Sequence, residues 1–317
     1  MSECLSRMYL FIGPPLLSGI GQVTKRYCDL VKGEYLEING GRFPNSNEYE
    51  GGFAFVLPLP DQLRIVKNWA SRCKKMMYMT VCETEPVHPC YGILKDFQPL
   101  YVPSQFAKSV LDSQFGWDCR ILRHWAPIPQ IPQVPRDPEK PYVFYTIGNV
   151  IDPRKNIQAL VNAFRECKFP NARLVLKATC KQSIKLDIPG VVAINGLLDD
   201  DMMEKIHQGG HCYVNCSHSE GVGMGAVEAA LHDKPVIIGD YGGLKEYVHT
   251  PFVISCPRGR IGFDDFLFKA DTTWGHPRGE DLVKHMRECY ERKLTHWDHS
   301  HTKDLITRVK PCLEHSL

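Results

Sequence analysis

Two stretches with the same alternating pattern, separated by a run of prolines, constrain the fold of this chain most strongly. In each stretch, short apolar runs alternate with longer segments whose apolar residues recur at helical spacing. This alternation is typical of a parallel sheet covered by helices. Between His124 and Pro141, prolines recur every two or three residues, which excludes a helix interior and favours an extended connection. The sequence therefore predicts two α/β domains.

The pattern predicts six strands in each half, in a βαβ order throughout. In the first half we expect strands near residues 9–12, 35–38, 53–57, 76–81, 100–102 and 120–122. In the second half we expect them near residues 142–147, 173–177, 191–194, 211–214, 236–238 and 252–254. The predicted divisions are a first domain over residues 1–125, a linker over 126–141, a second domain over 142–280, and a helical segment over 281–317 that packs back towards the first domain. Two Rossmann-like, doubly wound domains facing each other across a cleft are the expected architecture, because such sheets bind ligands at the carboxyl ends of their strands.

Composition excludes several classes of protein. The 317 residues carry 38 basic and 36 acidic side chains, a net charge of +2, so no overall field favours nucleic acid as a partner. No apolar run approaches the roughly 18 to 20 residues that span a bilayer. Thirteen cysteines without a secretion signal favour reduced thiols and a cytoplasmic location.

The glycine-rich segment Ser217–Glu228 is the strongest candidate for a ligand site. It follows a predicted strand, opens a predicted helix, and holds two glutamates, Glu220 and Glu228, eight positions apart. Free backbone N–H groups at a helix start attract phosphate oxygens, and carboxylates accept hydrogen bonds from sugar hydroxyls. The segment therefore predicts a site for an anionic, polyhydroxylated ligand.

A pair of cations, Arg154 and Lys155, follows the first strand of the second half. In isolation such a pair is most simply a solvated turn. At the carboxyl end of a strand, facing the glycine-rich helix start, the two side chains can instead clamp a diphosphate through charge-assisted hydrogen bonds.

Five motifs occur in order in the second half: Gly148 with Pro153–Asn156, then Asn195–Asp199, Glu220–Ala230, Pro235–Ile237 and Gly242–Glu246. In this order and approximate spacing they resemble the retaining GT-B glycosyltransferases, and most closely the E-x7-E motif of family 4. The likeness is strong over about residues 142–250 and looser in the first half.

The resemblance implies transfer of a sugar from a UDP- or GDP-sugar, with retention at the anomeric carbon and with no metal or other cofactor. Arg154 and Lys155 match the family's basic pair on the donor diphosphate. Glu228 matches the glutamate on the nucleotide ribose, and Glu220 matches the one near the transferred sugar. The other donor contacts that the resemblance implies are Gly148, then Leu197 and Leu198, which would lie beside the base, and the backbone of Gly221, Val222 and Gly223.

The first half matches the family less well. Gly19 and Gly21 follow the first strand and open a helix, as the family's amino-terminal glycine loop does, which lets the donor phosphates approach the backbone. The histidine that many members place after the strand ending near residue 81 is missing, and the chain has Cys82-Glu83-Thr84-Glu85 there. Glu83 and Glu85 are candidates for orienting an acceptor hydroxyl or acting as a base, with a solvated acidic loop as the alternative.

Three alternatives remain open. The missing histidine fits a non-catalytic nucleotide- or carbohydrate-binding protein on the same scaffold. The Gly19–Gly21 loop also fits a nicotinamide enzyme, although Thr24 occupies the place of the third glycine. The basic amphipathic helix predicted over residues 61–74 either packs on its sheet or makes a peripheral contact with an anionic membrane. The acceptor is expected to be a carbohydrate, a lipid-linked glycan or a protein-linked glycan.

Overall fold

The computed structural model of this chain describes residues 9–130, 137–180 and 182–317. Contacts divide the chain into two compact units. The first comprises the residues through Ala126 together with Asp264–Thr272 and Leu305–Leu317, and the second comprises Pro127–Phe263 and Thr273–Asp304. Residues 131–136, in the middle of the predicted linker, lie outside the described residues. The predicted carboxyl-terminal segment 281–317 is divided between the two units after Asp304.

The described part of the first unit contains a six-stranded parallel sheet with the order β2-β1-β3-β4-β5-β6. Its strands are β1 (Tyr9–Gly13), β2 (Glu34–Glu37), β3 (Gly51–Phe55), β4 (Met76–Met79), β5 (Leu100–Val102) and β6 (Arg120–Ile121). Its sheet-covering helices are α1 (Gly19–Leu30), α2 (Pro60–Ala70) and α3 (Gln105–Phe115). The central strands are apolar throughout because helices or loops cover both faces. Leu10, Phe11 and Ile12 are completely buried.

One connection in the described part of this sheet contains no helix at all, in contrast to the predicted βαβ order. Residues 38–50, between β2 and β3, form turns and an isolated bridge from Tyr49 to Cys73 rather than a helix. Asn39 and Gly41 adopt positive φ angles of 66° and 70° in this connection. Left-handed residues and the nearby Pro44 disfavour a helix, so the predicted βαβ order was wrong here.

The apolar stripe of α2 faces the first sheet. Leu63, Val66 and Trp69 are part of the buried core of the first unit. The basic side chains around the stripe are exposed, and Lys67 lies 3.3 Å from Asp96. The apolar face that a membrane-bound helix would need is therefore already buried in the protein. Within the described residues, no helix is both long enough and apolar enough to cross a membrane.

The described part of the second unit contains a six-stranded parallel sheet with the order β12-β11-β10-β7-β8-β9. Its strands are β7 (Tyr142–Gly148), β8 (Ala172–Ala178), β9 (Val191–Ile194), β10 (Cys212–Val214), β11 (Val236–Gly239) and β12 (Val253–Ile254). Its helices are α4 (Ile157–Cys167), α5 (Asp200–Gly209), α6 (Met224–Leu231) and α7 (Gly279–Glu291). Numbered from β7, the order is 3-2-1-4-5-6, which is the order of the dinucleotide-binding Rossmann sheet. In such a sheet the ligand crevice opens where the order reverses, which here is between β7 and β10.

All twelve predicted strands occur, so the prediction of two Rossmann-like parallel sheets is confirmed. The sequence did not predict the antiparallel hairpin of β13 (Arg258–Arg260) and β14 (Thr273–Gly275). The chain ends in α8 (Ser300–Thr307) and α9 (Val309–Ser316). Of the two, α9 belongs to the first unit.

Candidate active site

Two loops meet at the carboxyl ends of β7 and β10, the strands that flank the reversal of the second sheet. The loop after β7 contains a single turn of 3-10 helix, Pro153–Lys155. The Asp152 carboxylate starts this turn by accepting a hydrogen bond of 2.9 Å from the backbone N–H of Arg154. The loops are tied together because Asn156 donates from Nδ2 to the carbonyl oxygen of Cys216, at 3.3 Å, and the backbone N–H of His218 donates to the carbonyl oxygen of Arg154.

The carboxylate of Glu220 lies at the centre of the joined loops and is only 5% exposed. Its Oε1 accepts hydrogen bonds from Lys155 Nζ at 2.5 Å and from Ser217 Oγ at 2.7 Å. Asn215 Nδ2 lies 3.2 Å from the same oxygen, and Arg154 Nη1 lies 3.1 Å from Oε2. The structure therefore brings the three predicted catalytic residues, Arg154, Lys155 and Glu220, into direct contact.

The network fixes the charge of Glu220. Burial raises the pKa of a carboxyl group, but the charges of Lys155 and Arg154 outweigh burial and hold the pKa of Glu220 at about 2, below its ordinary value of 4.5. Arg154 also contacts Asp152, with Nη2 at 3.3 Å from Oδ2. The Arg154 and Lys155 side chains are only 11% and 18% exposed, so the two cations keep fixed positions at this edge of the sheet.

The segment after Glu220 forms the glycine-rich start of α6, as the sequence predicts. Gly221 and Val222 are buried, and Gly223 has a φ of 74°, a left-handed conformation that favours glycine. A side chain at Gly223 would also lie 3.1 Å from Leu244 and 3.3 Å from the Cγ atom of Glu220. No side chain in the described part of the chain caps α6, so its first backbone N–H groups have no side-chain acceptor.

Glu228 lies in α6, and its side chain is turned towards α5. Its Oε2 lies 3.7 Å from Nε2 of the buried His207, and the side chain is 17% exposed. The Nδ1 atom of His207 lies 3.0 Å from the hydroxyl of Tyr145 on β7. Burial lowers the pKa of His207, so the imidazole beside Glu228 is neutral at pH 7.

The predicted base contacts occupy the loop after β9. Gly196 adopts a φ of 86°, the Leu197 side chain is 70% exposed, and Leu198 is half-buried. An apolar side chain held this far out of the core is available to pack against the face of a nucleobase. Gly148, at the end of β7, lies close to Lys155, because a Cβ atom at Gly148 would be 3.5 Å from Lys155 Cε.

The predicted residues of the first unit follow two strands of its sheet, β1 and β4. Gly19 and Gly21 start α1 after β1, and the Ser18 hydroxyl accepts a hydrogen bond of 3.0 Å from the backbone N–H of Gly21. Glu83 and Glu85 follow β4 and are half-buried. Cys82, which precedes them, is 1% exposed, and burial raises the pKa of its thiol above the ordinary range.

The sequence did not single out three side chains that hold the site. Asp152 orients Arg154, and both Asn215 and Ser217 bind Glu220. An Asp-Pro pair before the cations is a recognisable start for a helical turn, so Asp152 could have been found. Asn215 gives no such signal, since its role depends on the loop geometry. Within the described ranges, no three histidine, cysteine, aspartate or glutamate side chains are grouped so as to hold a metal ion.

Comparison with known proteins gives one match to a family model, and it covers the candidate site. Residues 127–252, which include Arg154, Lys155, Glu220 and Glu228, match the family model of glycosyl transferases group 1. A comparison with curated protein sequences gives no significant match.

Solved structures share the fold. The chain is similar to a glycosyltransferase from Rickettsia africae ESF-5, with a TM-score of 0.59 and 11% identity over 97% of this chain and 92% of that chain. It is similar to the lipopolysaccharide outer core galactosyltransferase WaaB in its apo form, with a TM-score of 0.60 and 11% identity over 97% of this chain and 98% of that one. It is also similar to the pneumococcal O-GlcNAc transferase GtfA in complex with UDP and GlcNAc, with a TM-score of 0.52 and 13% identity over 85% of this chain and 57% of that chain. At these identities the likeness shows the fold, which is that of the GT-B glycosyltransferases.

Proposed function

We propose that this chain is a glycosyltransferase that moves a sugar from a UDP- or GDP-sugar to a glycan acceptor with retention at the anomeric carbon. The observation that supports this most directly is the buried network of Arg154, Lys155 and Glu220. It lies at the reversal point of a Rossmann sheet and within the region that matches the family model.

The chemistry requires stabilisation of a departing diphosphate. The bond from the anomeric carbon to the β-phosphate oxygen breaks with its electrons on the diphosphate, while the acceptor oxygen bonds the anomeric carbon and its proton leaves with the nucleoside diphosphate. Arg154, Lys155 and the uncapped start of α6 supply cations and N–H dipoles for the negative charge that develops. These groups are already held in place, so little reorganisation is needed during the reaction. The proposal uses neither a metal ion nor a covalent nucleophile.

Glu220 has a second task in this proposal. When donor phosphate oxygens bind Lys155 and Arg154, they compete with the Glu220 carboxylate for the same N–H groups. Ser217 and Asn215 continue to hold Oε1, so the carboxylate stays in position to accept a hydrogen bond from a hydroxyl of the transferred sugar.

The other predicted residues take supporting roles. Glu228 is assigned to the ribose hydroxyls, Leu197 and Leu198 to the base, and the Gly148 and Gly221–Gly223 backbone to phosphate or sugar. In the first unit, Gly19 and Gly21 are assigned to the approach of the donor phosphates. Glu83 and Glu85 are assigned to the acceptor hydroxyl.

Binding of a donor panel tests the assignment. We expect a UDP- or GDP-sugar to raise the Tm and to release its nucleoside diphosphate when acceptors are offered, with activity that persists in EDTA. Lys155→Ala and Glu228→Ala should each abolish detectable binding. Lys284→Ala and Glu291→Ala, at exposed positions of α7, are the matched controls and should bind normally. Full affinity for the nucleotide sugar in both site variants would contradict the site assignment.

A non-catalytic binding protein is the second candidate, because a buried and protonated Cys82 thiol stands where many family members have a histidine. This candidate predicts that nucleotide sugars stabilise the wild-type protein while no nucleoside diphosphate is released to water or to any offered glycan. Release at a rate that Lys155→Ala abolishes would reject it.

A further inference from the structure

A lysine that the proposed mechanism does not use is buried at the same edge of the second sheet. Lys177 lies near the carboxyl end of β8 and is 2% exposed. Its register partners are Ile147 on β7 and Ile194 on β9. Lys177 Nζ donates to the carbonyl oxygen of Ala178 at 2.6 Å and to that of Gly196 at 2.8 Å.

This ammonium group lacks the compensating carboxylate that Arg154 and Lys155 have. Lys155 and Arg154 each contact the Glu220 carboxylate. Lys177 has no carboxylate within 4.0 Å in the parts of the chain that the structure describes, and its burial lowers its pKa. Burying a charge is costly unless hydrogen bonds or an opposite charge offset it. An ammonium carries three N–H donors, of which the two backbone carbonyls use two, so one donor remains for a ligand.

The position of Lys177 indicates what that ligand group is. In a Rossmann sheet the end of the second strand reads the nucleoside, through an acidic side chain that accepts a hydrogen bond from the ribose. In this sheet the second strand is β8, and its penultimate residue is Lys177, whose ammonium group can only donate. The ligand group that Lys177 contacts must therefore be a hydrogen-bond acceptor. Through Gly196, Lys177 also holds the loop whose next residue is the exposed Leu197.

We propose that Lys177 determines base specificity by donating a hydrogen bond to the keto oxygen O4 of uracil or O6 of guanine in the donor's nucleobase. This inference rests on the proposed function, which assigns Leu197 to the base. Uracil and guanine carry a keto oxygen where cytosine and adenine carry an amino group. An ammonium donor favours the keto oxygen and cannot pair with an amino group, so the site accepts nucleotides of uracil or guanine and rejects those of cytosine and adenine.

Binding of four nucleoside diphosphates tests this proposal. Affinities for UDP, CDP, GDP and ADP are measured by calorimetry on the wild-type chain, on Lys177→Met, which keeps the length of the side chain without its charge, and on the exposed control Lys284→Met. We expect the wild type and the control to bind one keto nucleotide at least about tenfold more tightly than its amino counterpart, because a hydrogen bond from a charged group is worth that much. In Lys177→Met the preference should fall to within about twofold, through weaker binding of the keto nucleotide alone.

Three results would overturn the inference while leaving the proposed function in place. The wild type could show no preference within the UDP–CDP pair or the GDP–ADP pair, or a preference could survive in Lys177→Met. The third is an equal loss of affinity for all four nucleotides in Lys177→Met, which would place the ammonium group on a phosphate. If none of the four binds the wild type, the proposed function and this inference fail together. Should Lys177→Met not fold, Lys177→Arg retains a cationic donor and must retain the preference.

Discussion

Both units begin a helix with a glycine-rich loop at the carboxyl edge of a parallel sheet. The two helix starts differ in whether a side chain accepts a hydrogen bond from their free backbone N–H groups. In the first unit the Ser18 hydroxyl caps α1 by accepting from the Gly21 N–H group. In the second unit Gly223 starts α6 in a left-handed conformation, and no side chain in the described chain caps it. A helix start that is already capped has less capacity for an anion than one that is open. Glycine-rich loops of similar sequence are therefore distinguished by their capping.

The glycines themselves are required for different reasons. A Cβ atom at Gly21 would lie 2.2 Å from the carbonyl oxygen of Pro15, so this glycine is required by the packing of its own loop. A Cβ atom at Gly19 would meet nothing within 4 Å. Gly223 combines a positive φ with close contacts to Leu244 and Glu220. Of these three glycines, Gly223 is the one in contact with a charged residue of the candidate site.

The largest expected effect on stability comes from the ion network of the second unit rather than from the capped loop of the first. Glu220→Gln removes the charge that compensates Arg154 and Lys155, and leaving buried cations without their partner costs on the order of 3 kcal/mol. Urea unfolding measures the loss, with the exposed Glu291→Gln as the control. Nucleotide-sugar binding should also be lost. Unchanged stability would mean that the network does not hold the loops together.

A matched glycine pair tests the packing of the first unit. Gly21→Ala should lower the free energy of unfolding by about 2 kcal/mol, because a backbone carbonyl oxygen blocks the added methyl group. Gly19→Ala should leave the free energy of unfolding unchanged or slightly higher, since alanine favours the helix. If donor phosphates approach this loop, Gly19→Ala should still weaken nucleotide-sugar binding. Calorimetry on both variants separates packing from binding, and equal destabilisation by both substitutions would contradict the expected contrast.

The pH dependence of the first unit follows from His124, which is 3% exposed beside Tyr27 and Phe55. Burial, and then the charge of Arg26, lowers the pKa of His124 to about 3 from 6.5. The unfolded chain therefore binds the proton more readily, and stability falls as the pH drops below 6.5. Between pH 6.5 and pH 5 this costs about 2 kcal/mol. His124→Phe, which suits the aromatic surroundings, should lose that much less stability over the same range in urea titrations. An unchanged pH slope would contradict the assignment.

The smallest expected effect concerns the cap itself. Ser18→Ala should cost about 1 kcal/mol of stability, the usual value for an N-cap hydroxyl. Thermal unfolding measures the cost, with Ser316→Ala near the carboxyl terminus as the control. Anion affinity is the second measurement, because a donor phosphate that shares the Gly21 N–H group would compete with the Ser18 hydroxyl. Tighter nucleotide binding by Ser18→Ala would show that the capped loop is also a ligand site.

The fold could be predicted from the sequence because strands buried on both faces leave long apolar runs, as in β7 and β8. The hairpin of β13 and β14 left no such trace. Each of its strands has only three residues, and β13 is Arg258-Gly259-Arg260, without an apolar residue. The crossover over residues 38–50 was missed because the rule that a helix links parallel strands is a strong tendency rather than a requirement.

The candidate site could be predicted as a set of residues but not as an arrangement. Family resemblance identified the adjacent Arg154 and Lys155, and also Glu220, which lies 66 and 65 positions after them along the chain. The direct pairing of one carboxylate with both cations depends on how two loops are joined, which residue types do not encode. Lys177 was missed for a related reason. A lone lysine at the end of an apolar run most simply indicates a solvated strand end, and only the buried position of its ammonium group distinguishes it.

The Glu220 network has one consequence for how the protein responds to its surroundings. A carboxylate with a pKa of about 2, paired with an arginine and a lysine, exchanges no protons between mild acid and mild alkali. The Glu220 carboxylate therefore keeps its negative charge over the whole range in which a cell operates. The terminal phosphate of a nucleoside diphosphate, in contrast, titrates near pH 6. Glu220 would then meet a ligand whose charge changes with pH while its own charge stays constant.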